Sequence, residues 1–109
     1  MYLQKFEIKN KIALVTGAGK GIGKASAIAL AEAGADLIIL SRTKSDLDKV
    51  KKQIVKLKRN CQSYVCDVSN YDEVKSVFKE IKKIDILINN AGTNRPEHFV
   101  KIKKEDMDY

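Results

Sequence analysis

The stretch Thr16-Gly17-Ala18-Gly19-Lys20-Gly21-Ile22-Gly23 constrains the fold more than any other part of the chain. It follows the apolar run Ile12-Ala13-Leu14-Val15 and precedes an alanine-rich segment, residues 24–33. A β-branched run, a glycine turn and a helix-forming segment predict strand, tight turn and helix. This is the geometry that cradles a pyrophosphate. Gly17 can take backbone angles forbidden to other residues, Gly21 allows the main chain to approach phosphate oxygens, and Gly23 allows the helix to pack closely. The helix start offers unpaired N–H groups and a partial positive charge to an anion. Ordinary turns also use glycine, so the trio needs support from elsewhere in the chain.

The rest of the chain repeats the alternation of strand and helix. Gly34 is expected to cap the first helix at its C-terminus. Residues 35–40 are apolar apart from Asp36, as in a strand covered on both faces. From Ser45 a second helix carries Leu47, Val50, Ile54 and Leu57 at helical spacing, a stripe assigned to core packing. Residues 61–66 read as a third strand ending at Asp67-Val68. Ser69 or Asn70 can then cap a third helix with Val74, Val77, Phe78 and Ile81 on its apolar face. Residues 84–88 give a fourth strand, and Glu105, Asp106 and Met107 read as the opening of a fourth helix. Such alternation implies an α/β fold with a doubly wound parallel sheet and strand order 3-2-1-4, whose ligand crevice lies where the order reverses.

After the fourth apolar run comes Asn89-Asn90-Ala91-Gly92. Together with the turn at residues 16–23, this segment closely resembles the short-chain dehydrogenase/reductase family, classical type, in motif order and in spacing. The resemblance runs from about Lys11 to Tyr109. It implies an incomplete Rossmann domain, residues 1–109 being the N-terminal cofactor-binding part of one domain. It also implies an NAD(P)-dependent oxidoreductase interconverting an alcohol and a carbonyl, on a sugar acid, a polyol or a 3-oxoacyl-type substrate.

By the same resemblance, Gly17, Lys20, Gly21, Ile22 and Gly23 surround the pyrophosphate. Ser41 stands where many members carry an acidic residue that bonds the ribose of NAD, and Arg42 follows it. Arg42 and Lys20 are suited to the 2′-phosphate of NADP(H), which is favoured over NAD(H), although both also read as ordinary surface cations. Asp67 and Val68 match the residues holding the adenine, Asp67 otherwise serving the next helix as a cap. Asn90, Ala91 and Gly92 match the segment along the ribose and nicotinamide, while Asn89 is expected to tie neighbouring strands. The loop at Thr93-Asn94-Arg95-Pro96 would face substrate, with Arg95 suited either to a carboxylate or to plain solvation.

The family's chemistry needs a serine, a tyrosine and a lysine four residues after the tyrosine. Tyr71 and Lys75 have that spacing, but they lie after the third strand rather than the fifth and are assigned no catalytic role. His98, the one histidine, has no partner in a recognisable arrangement. No catalytic residue and no metal site are therefore assigned, and the 109 residues alone are expected to be inactive. The competing reading is a standalone nucleotide-binding or interaction module. The resemblance further suggests a homo-tetramer.

A chain of this length buries only a modest core. Its formal net charge of +7 invites a nucleic-acid reading. The lysines, however, are interleaved with acidic residues along expected helix faces, and no aromatic platform accompanies them. No leader-like or membrane-spanning run stands out, so a cytoplasmic location is expected, with a small molecule rather than nucleic acid or membrane as partner. Cys61 and Cys66 have an odd separation in a strand and should face opposite sides, unpaired.

Overall fold

The computed structural model describes residues 8–90. Ala91, Gly92, the loop at residues 93–99 and the start of a fourth helix lie outside the described residues.

Four strands and three helices alternate: β1 (Ile12–Thr16), α1 (Gly21–Glu32), β2 (Asp36–Ser41), α2 (Lys44–Lys56), β3 (Cys61–Val65), α3 (Tyr71–Glu80) and β4 (Ile86–Asn89). The strands form one parallel sheet in the order β3-β2-β1-β4. The doubly wound α/β arrangement expected from the sequence is thus present.

Side chains on successive strand residues point to opposite faces, and both faces are apolar here. Ala13, Val15, Leu37 and Ile39 join Ala27 and Ala31 of α1 and Leu47, Val50 and Ile54 of α2 in one cluster. Leu14, Ile38 and Leu40 join Val74, Val77 and Phe78 of α3 in the other. The central strands are therefore sandwiched between two helical layers. Cys61 belongs to the first cluster and Cys66 to the second, and both thiols are free.

Small residues set the closeness of α1. Its buried positions are Gly23, Ala27 and Ala31, so the helix backbone can lie near the sheet without a large side chain between them. α1 ends where Gly34 takes a φ of 104°, with its N–H bonded to the Ala31 carbonyl at 3.0 Å. Glycine is favoured at such a position because a side chain would crowd the following peptide.

Some boundaries depart from the sequence reading. α1 begins at Gly21 rather than Lys24, because the helix backbone passes through Gly21-Ile22-Gly23 despite the poor helix propensity of glycine. β4 begins at Ile86 rather than Ile84 and reaches Asn89. Its start is preceded by Asp85, whose carboxylate accepts from the Ile12 N–H at 2.8 Å and whose own N–H donates to the Ile12 carbonyl. Leu57 is the C-terminal cap of α2 and is exposed, so the core stripe of that helix stops at Ile54. Of the two candidate caps for α3, Asn70 is the one used, its side chain accepting from the Glu73 N–H at 3.2 Å.

Candidate functional site

The C-terminal ends of β1, β2 and β4 and the turn after β3 meet at one edge of the sheet. They surround a cleft of about 340 Å³ lined by residues of four segments: Gly17, Gly19 and Lys20; Ser41, Arg42, Thr43 and Asp46; Cys66 to Ser69; and Asn90. Its position is the point where the strand order reverses from β1 toward β4 rather than β2.

The glycine turn forms one wall. Gly17 and Gly21 have φ values of 61° and 55°, in the left-handed region. A methyl group on Gly21 would meet nothing within 4 Å, so the main chain is bare there. α1 begins at this point with Lys20 as its cap residue, no side-chain capping bond and no acidic residue in its first turn. Its first N–H groups therefore have no intrahelical partner. Gly23 faces the opposite situation. A Cβ built there would lie 2.0 Å from the Gly17 carbonyl oxygen and 2.9 Å from the Asn90 side-chain nitrogen. The missing side chain lets α1, the glycine turn and the end of β4 share one small volume.

The first and fourth strands are locked beside each other by polar contacts. The Thr16 hydroxyl, on a fully buried residue, donates to the Asn89 side-chain oxygen at 2.9 Å and accepts from the Asn90 N–H at 2.8 Å. Asn89 thus ties neighbouring strands, as its position suggested. The turn is also hooked to β2, since the Ala18 N–H donates to the Leu40 carbonyl at 3.1 Å.

Ser41 and Arg42 stand at the end of β2, and the Ser41 hydroxyl accepts from the Thr43 N–H at 3.3 Å. Lys20 is 82% exposed and reaches the Asp46 carboxylate at 3.8 Å. On the far side, Asp67 Oδ1 accepts from both the hydroxyl and the N–H of Ser69, at 2.7 and 3.0 Å. Those two bonds hold the Asp67 carboxyl below the usual carboxylate range, and the positive charge of Arg42 acts in the same direction. The Asp67 N–H donates to Glu73 on α3, while the cap itself is Asn70. Val68 is buried beneath the adjoining wall. Burial pushes the Cys66 thiol up to about 11, so it carries no thiolate near neutral pH.

Gly17, Lys20, Ser41, Arg42, Asp67, Val68 and Asn90 therefore come together at this cleft, while Gly21 and Gly23 are not among its lining residues, Gly23 packing against Gly17 and Asn90 behind it. Ile22 is 75% exposed and is not among the lining residues. Tyr71 packs half-buried against the α3-side core, away from the lining. Gly19, Thr43, Asp46, Cys66 and Ser69 line the cleft without having been singled out. The glycine spacing offered a signal for Gly19 alone; Asp46 is there because the start of α2 leans on the turn, its Cβ 2.8 Å from where a Cβ on Gly19 would stand.

This sheet order, with a glycine turn and the end of β4 closing one cleft, is the arrangement of a nucleotide-binding α/β protein. The pattern of the short chain dehydrogenase family matches residues 11–109, and the chain belongs to that family. A 2-dehydro-3-deoxy-D-gluconate 5-dehydrogenase of Pseudoalteromonas atlantica is 47% identical over 96 residues, which cover 84% of this chain and 38% of that protein. Among solved structures, an NAD+-bound xylitol dehydrogenase superposes with a TM-score of 0.73 at 33% identity, covering 88% of this chain and 42% of its own. The L-sorbose reductase of Gluconobacter frateurii, complexed with NADPH and L-sorbose, gives 0.71 at 32% identity, covering 79% and 35%. The chain thus spans about two fifths of the length of the relatives it matches.

Proposed function

We propose that this chain is the cofactor-binding part of an NAD(P)-dependent oxidoreductase that interconverts an alcohol and a carbonyl on a small hydroxylated substrate, with NADP(H) preferred. The observation that carries the reading is the glycine turn, which lines the cleft through Gly17, Gly19 and Lys20 and runs straight into the start of α1. Gly21 has open space where a side chain would stand, beside the uncapped start of α1. That combination suits a pyrophosphate, which needs close main-chain approach and N–H donors. The cradle therefore fits a dinucleotide on the chain's own geometry.

In this reading Gly17, Gly21, Ile22 and Gly23 hold the pyrophosphate, and Asp67 and Val68 hold the adenine. Asn90, Ala91 and Gly92 follow the ribose toward the nicotinamide. Ser41 leaves the end of β2 without an acidic side chain that would repel a 2′-phosphate, and Arg42 and Lys20 offer it positive charge. When bound, the nicotinamide supplies the hydride chemistry. The residues described here bind and orient it, and none of them is assigned to proton transfer. The sugar-acid dehydrogenase, xylitol dehydrogenase and sorbose reductase among its relatives favour a sugar acid or polyol as substrate. A cytoplasmic homo-tetramer, inactive when reduced to these 109 residues, completes the proposal.

The test is a parallel titration with NADPH and NADH followed by nucleotide fluorescence. Tighter binding of NADPH, reversed by Arg42→Asp, is the expected result. Binding of neither nucleotide overturns the reading, and equal binding of both overturns the assignment of Arg42 and Lys20 to the 2′-phosphate.

A further inference from the structure

The charges facing the cleft are more balanced than the +7 of the chain suggests. Among the described lining residues, Lys20 and Arg42 are cationic, and Asp46 and Asp67 are anionic. Asp67 already has a place at the far wall, with one oxygen bonded to Ser69. Asp46 does not belong to the nucleotide-holding set, yet its carboxylate lies 3.8 Å from the Lys20 ammonium. The two side chains differ in freedom, since Lys20 is 82% exposed and Asp46 only 19%. Lys20 can swing away, whereas Asp46 is fixed against the glycine turn near Gly19 and Ser41.

We infer that Asp46 is a specificity-determining residue that holds back binding of the 2′-phosphate, by engaging Lys20 in the free protein and by leaving a negative charge beside the bound phosphate. The inference rests on the proposed placing of that phosphate near Arg42 and Lys20. Physically it has two parts. A phosphate that recruits Lys20 must draw it from its partner, a small effect for so exposed a pair. The larger part is repulsion between a fixed carboxylate and a phosphate bearing about 1.5 to 2 negative charges. NADH, lacking that phosphate, feels neither there, and the pyrophosphate that both nucleotides carry meets the Asp46 charge alike in each.

Asp46 also stands in the first turn of α2, where an acidic residue favours the helix whatever binds nearby. That bland role predicts a change in stability and no change in preference between nucleotides. Asp48 offers a matched control. It lies two residues on in the same helix, pairs with Lys44 at 3.0 Å, and does not line the cleft.

The experiment compares Asp46→Asn with Asp48→Asn in the whole protein, titrating each with NADPH and NADH at low and high salt. For Asp46→Asn the expected result is NADPH affinity raised by about 3- to 10-fold, from Coulomb interaction across several ångströms of wet surface. NADH affinity should rise less than NADPH affinity, the gain should shrink in high salt, and Asp48→Asn should leave the NADPH to NADH ratio alone. An unchanged ratio in Asp46→Asn, with wild type still preferring NADPH, overturns the inference and leaves the proposed function standing. Equal gains in both substitutions reduce Asp46 to one surface charge among many and overturn it as well. If the wild-type protein binds neither nucleotide, the functional reading falls and this inference with it.

Discussion

Replacing Gly23 by alanine is the sharpest test of how the cleft is built. The added Cβ would lie 2.0 Å from the Gly17 carbonyl oxygen and 2.7 Å from its carbon. Both are backbone atoms of the glycine turn, which is itself hooked to β2 through Ala18. Ordinary contact between such atoms needs more than 3 Å, so α1 or the turn must move by about an ångström in a close-packed region. Overpacking of this kind typically destabilises by about 1 to 3 kcal/mol, and here the clash is with backbone on a constrained turn, so the upper end is expected. At the length of its relatives that lowers Tm by roughly 6 to 12 °C. Gly21→Ala provides the contrast: its methyl meets open space and its strain comes only from a φ of 55°, about 1 kcal/mol. Thermal melting with NADPH titration should therefore separate the two substitutions. Gly23→Ala should lose stability and binding together, and Gly21→Ala should lose binding out of proportion to stability. A Gly23→Ala protein that melts and binds as the wild type does would refute the packing argument.

Further outcomes can be stated. Thr16→Val keeps the shape of a buried side chain but removes the bonds to Asn89 and Asn90, and urea unfolding should show a loss of about 1 to 3 kcal/mol. Burial pushes both Cys61 and Cys66 up to about 11 from an ordinary 9.0, so the protonated thiols favour the folded state below pH 9, and that contribution should be lost as the pH rises from about 9 through about 11. Replacing both by alanine should flatten that part of a stability profile; an unchanged slope would count against it. Among the described residues β4 has β1 as its only partner strand, and Leu87 is exposed; light scattering on the 109-residue chain alone should show self-association, and a monodisperse, cooperatively melting monomer would contradict this.

The strands were legible because a sheet covered on both faces demands uninterrupted apolar runs, and 12–15 and 35–40 have little else. The amphipathic spacing of α2 and α3 was equally plain, Val50 and Val74 being fully buried where the stripes placed them. α1 hid its first turn, because its buried face is made of Gly23, Ala27 and Ala31 rather than a large apolar stripe, and glycine argues locally against helix. Only the packing of Gly23 on Gly17 explains why the helix starts so early. The cleft was legible just past the strand ends, where Arg42 and Asp67 follow β2 and β3 and line it. Asp46 was not, since its place depends on how α2 leans against a turn more than twenty residues earlier.

The Thr16 hydroxyl joins groups 73 and 74 positions away in the chain. During synthesis the glycine turn emerges early, followed by two crossovers that can pack on it without help from β4. Until Asn89 and Asn90 arrive, one wall of the cleft has no floor and the Thr16 side chain has neither of these partners. Formation of the crevice thus waits on β4, and a ribosome-bound chain that has emerged only through β3 lacks the Asn90 side of the cleft.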